Sequence, residues 1–140
     1  MNDRIRWCKQ AAIACLAAAW LGGALAAEPM TTTDDLLKNP KFKSAYVAAL
    51  GPKAKEKWLA TMTNSALVRD ETIAGERWQV ATPCKPHDCG DNNLLLLYSA
   101  SRGAVVGHLY ENGKVTTLGS PGAAMSAHLQ RLWNKEFRQR

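Results

Sequence analysis

The sequence predicts an α+β fold, a single domain with a central antiparallel β-sheet flanked by helices. Helix signals come first in the chain, strand-type segments follow from Ala66 to Leu118, and an amphipathic helical stripe ends it. This order is typical of one sheet covered by helices, because a βαβ fold would alternate strands with helices. A short loop between two predicted strands, closed by a pair of cysteines, is expected to protrude from the sheet.

The first helices are marked by the residues at their ends. A turn or two is predicted from Thr33 to Lys38. Asn39-Pro40 predicts the start of a longer helix, because Asn can cap free backbone amides and Pro suits the first helical position. Gly51-Pro52 ends that helix, and a short helical stretch is predicted from Lys55 to Met62. The apolar residues of the longer helix recur at helical spacing: Phe42, Tyr46, Ala49 and Leu50.

Three kinds of strand signal follow. Leu94 to Tyr98 is continuously apolar, as in a strand that is covered on both faces. Asn112-Gly113 separates the β-type segments Ala104 to Tyr110 and Lys114 to Leu118, which predicts a hairpin because both turn residues tolerate positive φ. An earlier half-buried strand is indicated by the alternation of Trp78, Val80 and Thr82 with their neighbours.

A stripe of apolar residues near the C-terminus predicts a last helix: Met125, Leu129, Leu132, Trp133 and Phe137. Their spacing places them on one face of an amphipathic helix. The other side carries a basic tail of Arg131, Lys135, Arg138 and Arg140. A solvated helix face is the expected role of these cations, and contact with an anionic surface is the weaker alternative.

Residues 1–26 have the pattern of a secretory signal peptide. Basic residues lie before position 10, and the uncharged apolar segment from Ala11 to Leu25 follows, with small residues at its exit. The segment is shorter than the roughly 20 apolar residues that span a membrane, which argues against a retained anchor. Much of the apolar segment follows Cys15, which excludes it as the lipidated cysteine of a lipoprotein. Cleavage after Ala26 leaves one domain at residues 27–140.

Export changes both the charge and the cysteine count. The full chain has 18 basic and 12 acidic residues, and without residues 1–26 these become 15 and 11, a net charge of +4. This excess is too small to indicate nucleic-acid binding, and no stable membrane insertion is expected. Two of the four cysteines remain, Cys84 and Cys89. An exported domain reaches an oxidising compartment, which lets such a pair persist as a disulfide.

The disulfide would close a loop of four residues, Lys85-Pro86-His87-Asp88. Closing so small a loop stabilises a fold by about 2 kcal/mol on the chain-entropy model, so rigidity is a better reason for the bond. Pro86 fixes its own φ and restricts Lys85 towards an extended backbone. We predict a stiff loop that displays Lys85, His87 and Asp88 and loses little entropy on binding.

The six residues Cys84-Lys85-Pro86-His87-Asp88-Cys89 resemble the signature loop of the inhibitor of vertebrate lysozyme (Ivy) family and agree with it at every position. The setting is similar as well, with a signal peptide, a similar length, helices before the loop and strands after it. The resemblance extends over most of residues 30–138, although the loop carries nearly all of its specificity. It implies a periplasmic protein with a central antiparallel sheet and flanking helices, and a homodimer in some members.

The resemblance also implies how the loop acts, by insertion into the catalytic cleft of a host C-type lysozyme. A retaining glycosidase has two carboxyl groups roughly 5 Å apart, and the two ring nitrogens of one imidazole can address both. His87 is then the plug between the carboxyls, and Lys85 and Asp88 add charge complementarity and hydrogen bonds. Cys84 and Cys89 hold the loop, and Pro86 shapes it. Blockade breaks no bond, so neither enzymatic activity nor a cofactor is expected.

Other functions stay open beside this one. The target could be the cell's own lytic transglycosylases, and the disulfide could simply clip a surface turn. A thiol–disulfide redox protein is disfavoured, because its cysteines usually form Cys-x-x-Cys at a helix N-terminus. A metal site at Cys84, His87 and Cys89 lacks a fourth ligand, and His108 and His128 are expected to be packing or surface residues.

Two further questions concern catalysis and assembly. A hydrolase has little support, because the sequence has no Gly-x-Ser-x-Gly motif and Asp34-Asp35 fits the N-terminus of a helix. A homodimer stays open as an assembly, because the three tryptophans that follow the signal peptide could serve a core or an interface equally.

Overall fold

The computed structural model describes residues 29–139, in which five antiparallel strands form one sheet between two helical layers. The predicted signal peptide, Cys15 and Arg140 lie outside the described residues. Within them, the predicted α+β fold and the closed loop between two strands are confirmed. No helix in this part of the chain is both long enough and apolar enough to cross a membrane.

The N-terminal layer consists of α1 Thr33–Lys38, α2 Pro40–Leu50, a 3-10 helix Gly51–Lys55, and α3 Lys57–Ala60. α1 and α2 each begin at a side-chain cap. Thr32 and Asp35 form a reciprocal capping box on α1, and the Asn39 side chain accepts hydrogen bonds from two backbone amides of α2. The helix predicted from Lys55 to Met62 is shorter than expected, because the 3-10 helix occupies its start and Met62 has a φ of 46°.

The sheet contains β1 Arg69–Ile73, β2 Glu76–Ala81, β3 Asn92–Ser99, β4 Ala104–Glu111 and β5 Lys114–Leu118. Each strand pairs with its neighbour in sequence, so the sheet is an antiparallel meander. β3 lies at its centre and is buried at every position, as its apolar run predicts. Thr82 is buried but lies beyond the end of β2, since the following Pro83 has no N–H for the ladder.

Two hairpins close on two-residue turns with matching geometry. Asn112 and Gly113 have φ of 47° and 87°, which confirms the hairpin predicted between β4 and β5. Ala74 and Gly75, between β1 and β2, have φ of 51° and 79°. Both turns thus have the positive φ angles that join antiparallel strands with their natural twist, but in the second an alanine occupies a left-handed position.

The C-terminal helix α4, Ala123–Phe137, covers the other face of the sheet. Leu129, Leu132 and Trp133 are buried, while Met125 and Phe137 are partly buried against them, which confirms the predicted stripe. The sheet therefore has two apolar layers, one beneath α1–α3 and one beneath α4. Alternate residues of β3 contribute to each layer, so the strand is held on both faces directly after the cysteine loop.

Candidate functional site

The loop between Cys84 and Cys89 continues the β2–β3 pairing beyond the end of the sheet. The disulfide joins the two residues with a Cα–Cα distance of 4.9 Å. The Leu94 amide donates to the Pro83 carbonyl at 2.9 Å, and the Lys85 amide donates to the Asn92 carbonyl at 3.0 Å. Because the backbone hydrogen bonds run up to the closed ring, the loop projects as a narrow, supported extension of the hairpin.

The tip of the loop is a β-turn from Lys85 to Asp88. The Asp88 amide donates to the Lys85 carbonyl at 3.0 Å, Pro86 is the second residue, and His87 is the third with a φ of 62°. Proline followed by a residue of positive φ defines a type II turn, in which glycine is the usual third residue. The turn therefore places an exposed imidazole where the backbone itself favours glycine.

The two charged residues of the loop flank this turn. Asp88 Oδ2 accepts a hydrogen bond from Asn92 Nδ2 at 2.7 Å and lies 3.5 Å from Lys85 Nζ. The Asp88 carboxylate is thus held within the loop, whereas about half of the Lys85 side chain is exposed. Within residues 29–139 the His87 side chain has no hydrogen bond, ion pair or ring contact. Of the three predicted contact residues, His87 is the one whose polar atoms remain available.

The base of the loop is fixed by a buried asparagine. Asn93 is fully buried, and its Nδ2 donates to the Cys89 carbonyl at 2.7 Å. Its Oδ1 accepts a hydrogen bond from Trp133 Nε1 on α4 at 2.6 Å. On the entry side, the Cys84 amide donates to the Thr63 carbonyl at 3.0 Å. Burial strengthens hydrogen bonds whose partners are all satisfied, so these contacts hold both cysteines in place.

The end of α4 also contacts the loop, through a residue expected on a solvated face. Arg138 Nη1 donates to the Gly90 carbonyl at 3.1 Å, and its guanidinium lies over the rings of Tyr110 and Trp133. Arg138 is exposed, as expected of the basic tail, but its cation also has aromatic and carbonyl partners. Arg131 and Lys135, on the same helix, are exposed as expected.

The remaining titratable candidates lie away from the tip. His108 is buried on β4 with its ring centroid 4.8 Å from that of Trp133, and this burial lowers the pKa of the imidazole. His128 Nδ1 lies 3.2 Å from Arg131 Nη2. The Thr32 amide, which donates to the Asp35 carboxylate, lowers the pKa of that carboxyl and identifies it as a helix cap. Within residues 29–139, no three His, Cys, Asp or Glu side chains are grouped so as to hold a metal ion.

Sequence reasoning missed the residues that support the loop from outside. Asn93 and Trp133 lie 40 positions apart, and Arg138 lies 48 positions from Gly90. One signal could have pointed to Asn93, a polar residue placed directly before the apolar run of β3. A buried amide in such a place needs specific partners, but the sequence does not say which.

The described domain is similar to known proteins over most of its length. Residues 41–139 match the model of the family described as inhibitor of vertebrate lysozyme (Ivy). The inhibitor of vertebrate lysozyme of Pseudomonas aeruginosa PAO1 is 31% identical over 99 residues, which cover 66% of this chain and 65% of the relative. The protein of that name from Escherichia coli K12 is 25% identical over 96 residues, covering 69% and 61%. The chain thus spans slightly less than two thirds of either relative.

Proposed function

The chain belongs to the Ivy family, and on this premise we propose that it inhibits a C-type lysozyme by inserting the Cys84–Cys89 loop into the catalytic cleft. The observation that carries the proposal is the imidazole of His87, exposed at the tip of a covalently closed ring. A loop whose backbone is already ordered loses little conformational entropy when it binds. The loop has the form of a ready-made plug.

The chemistry of the target cleft suits an imidazole. A retaining glycosidase places its two catalytic carboxyl groups about 5 Å apart, and one is protonated while the other is ionised. The two nitrogens of His87 point in different directions, so one can donate to the carboxylate while the other accepts from the carboxylic acid. Such a pose occupies both catalytic groups and excludes the sugar. No covalent bond changes, so the proposed action is blockade and not catalysis.

Lys85 and Asp88 have different parts in this proposal. The ion pair between them is solvent-exposed, and such pairs are weak. Lys85 can therefore exchange its partner for a carboxylate of the enzyme at little cost. Asp88 also accepts from Asn92 and remains with the loop. We assign Lys85 to contact with the enzyme and Asp88 to maintenance of the turn.

The setting proposed for this action is the periplasm, where residues 1–26 would direct the chain and where the disulfide can form. A lysozyme that enters this compartment would meet the inhibitor before much of the cell wall is cut. The cell's own lytic transglycosylases cleave the same polymer, so they are the second class of target to be tested.

The test is titration of oxidised residues 27–140 against a vertebrate C-type lysozyme and, separately, a lytic transglycosylase, each in a cell-wall lysis assay. We expect saturating inhibition of the lysozyme. His87→Ala should weaken it by about 30-fold or more, the effect of losing a central interface contact of at least about 2 kcal/mol. His128→Ala is the matched control, since it removes the same ring from a site on α4.

Circular dichroism of each variant verifies that it folds. A folded His87→Ala protein that inhibits as well as the parent would contradict the role of the imidazole. Inhibition of the transglycosylase alone would contradict the proposed target and leave the loop mechanism in place.

A further inference from the structure

We propose that Arg138, the residue that follows the last turn of α4, is a positioning residue for the inhibitory loop. The inference rests on the proposed function and concerns a residue 48 positions from the carbonyl that it contacts. It makes the C-terminal helix a determinant of how well the loop is ordered for binding. The contacts of the guanidinium, its link to the disulfide ring and its exposure lead to this assignment.

The guanidinium of Arg138 is held by two aromatic rings. Its Cζ lies 4.5 Å from the ring centroid of Tyr110 and 4.4 Å from that of Trp133. Both distances are well inside the roughly 6 Å within which a cation is attracted to an aromatic face. A planar, delocalised cation suits such stacking better than a compact ammonium does. The side chain is therefore fixed in direction although it lies at the surface.

In this orientation Arg138 reaches the exit limb of the loop, the backbone from Cys89 to Asn92. Its Nη1 donates to the Gly90 carbonyl at 3.1 Å. The carbonyl before it, that of Cys89, accepts from Asn93, which in turn accepts from Trp133. Two successive carbonyls beside the disulfide are thus held by groups that α4 supports. The Asn93 amide donates to both, at 2.7 Å to that of Cys89 and at 3.4 Å to that of Gly90, and Arg138 donates to that of Gly90 at the shorter distance of 3.1 Å.

The same contacts contribute little to the stability of the whole fold. Arg138 is exposed, and a cation–π contact at an exposed site is weak. α4 is anchored to the sheet by the buried side chains of Leu129, Leu132 and Trp133, and their burial stays when the guanidinium that stacks on Trp133 is removed. Loss of the guanidinium should free the exit limb while the domain stays folded. Such a separation between loop order and global stability distinguishes a positioning residue from a structural one.

The experiment compares Arg138→Ala and Arg138→Lys with Lys135→Ala in the chain of residues 27–140. Lys135 is an exposed cation on the same helix, so its removal makes the same change in net charge without touching the loop. Three quantities are measured: inhibition of a C-type lysozyme, the thermal midpoint, and hydrogen exchange of the Asp91 and Asn92 amides, both of which donate to the Asp88 carbonyl.

Arg138→Ala should weaken inhibition by about twofold to fivefold and speed exchange at the two amides, with little change in the thermal midpoint. Arg138→Lys keeps the cation but not the planar fork, so it should restore part of both. Lys135→Ala should match the parent protein.

Three results would overturn the proposal. They are unchanged loop exchange in Arg138→Ala, equal losses of inhibition in Arg138→Ala and Lys135→Ala, or a lowered thermal midpoint that Arg138→Lys does not restore. Should the parent protein inhibit no lysozyme, the proposed function fails. Hydrogen exchange of the Asp91 and Asn92 amides would still decide whether Arg138 orders the loop, so the failure of the proposed function and the failure of this proposal can be told apart.

Discussion

Two turns at opposite ends of β2 each hold a residue other than glycine in the left-handed region, Ala74 with a φ of 51° and His87 with a φ of 62°. Such a backbone costs about 1 kcal/mol in an L-residue. At Ala74 the register of the β1–β2 hairpin imposes the conformation, and the methyl group displays nothing. At His87 the disulfide, Pro86 and the buried Asn93 support a turn that presents an imidazole to solvent. Similar backbone strain is therefore incidental at Ala74, whereas at His87 it accompanies the exposure of an imidazole.

Removal of the disulfide should take away the support of the turn at His87, and it should change the free energy of unfolding more than a substitution at either turn residue. Cys84→Ala combined with Cys89→Ala should lower the free energy of unfolding by about 2 kcal/mol, the loop-closure entropy of so small a ring. Inhibition should weaken by about tenfold or more, because the tip must then be ordered on binding. Urea unfolding and the lysis assay measure the two effects. A folded double variant of undiminished potency would show that the remaining hydrogen bonds alone order the tip.

Glycine at each of the two turns should separate the relief of backbone strain from the loss of the exposed side chain. Ala74→Gly should raise the free energy of unfolding by about 0.5 kcal/mol, since the relief of left-handed strain exceeds the added entropy of the unfolded chain by a fraction of its size, and inhibition should not change. His87→Gly relieves the same strain and should stabilise by a similar amount while inhibition is lost. Urea unfolding and inhibition are measured on both proteins. Destabilisation by either substitution would contradict the assignment of strain.

A smaller effect is expected in the pH dependence of stability. It should differ between His108, which lies near the loop, and Glu76, which lies near the turn at Ala74. Burial lowers the pKa of His108, which packs against Trp133 beneath the loop, so the unfolded chain takes up a proton first as the pH falls. The stability contributed by neutral His108 should therefore decline below about pH 6.5. Near the Ala74 turn, a hydrogen bond from Ser99 lowers the pKa of Glu76. The stability contributed by this carboxylate should decline only below about pH 4.5.

Urea midpoints of the parent protein, His108→Leu and Glu76→Gln, recorded from pH 7 to pH 3, test this order. His108→Leu should flatten the profile below about pH 6.5, and Glu76→Gln should flatten it further below about pH 4.5. Identical profiles for all three proteins would contradict a contribution of His108 or Glu76 to the pH dependence of stability.

The sequence predicts most of the fold, and the exception is β1. Its residues Arg69 to Thr72 are all polar, so no apolar alternation marks a strand. The turn between β1 and β2 begins with Ala74, and alanine does not indicate a hairpin turn. The corresponding residue of the predicted β4–β5 hairpin is Asn112, which does. β1 exists because β2 offers it an edge for pairing, which is a tertiary cause and leaves no local trace.

The candidate site divides in the same way. The ring and the constraint from Pro86 are local consequences of residue type and spacing, so both are predictable. The contacts made by Asn93, Trp133 and Arg138 join residues 40 and 48 positions apart. Their existence depends on how α4 lies across the sheet, which helical periodicity does not specify. Trp133 lies on the predicted apolar stripe of α4 and is buried, but its indole N–H also serves the loop.

The meander order of the sheet has a consequence for how the chain folds. Every strand pairs with its neighbour in sequence, so each pairing closes a short stretch of chain and loses little entropy in doing so. Topologies rich in such local pairings fold quickly. The apolar strand β3 gains partners on both edges from the segments made just before and just after it, which shortens the time during which it could pair with another molecule. We expect the hairpins to form first and α4 to dock last.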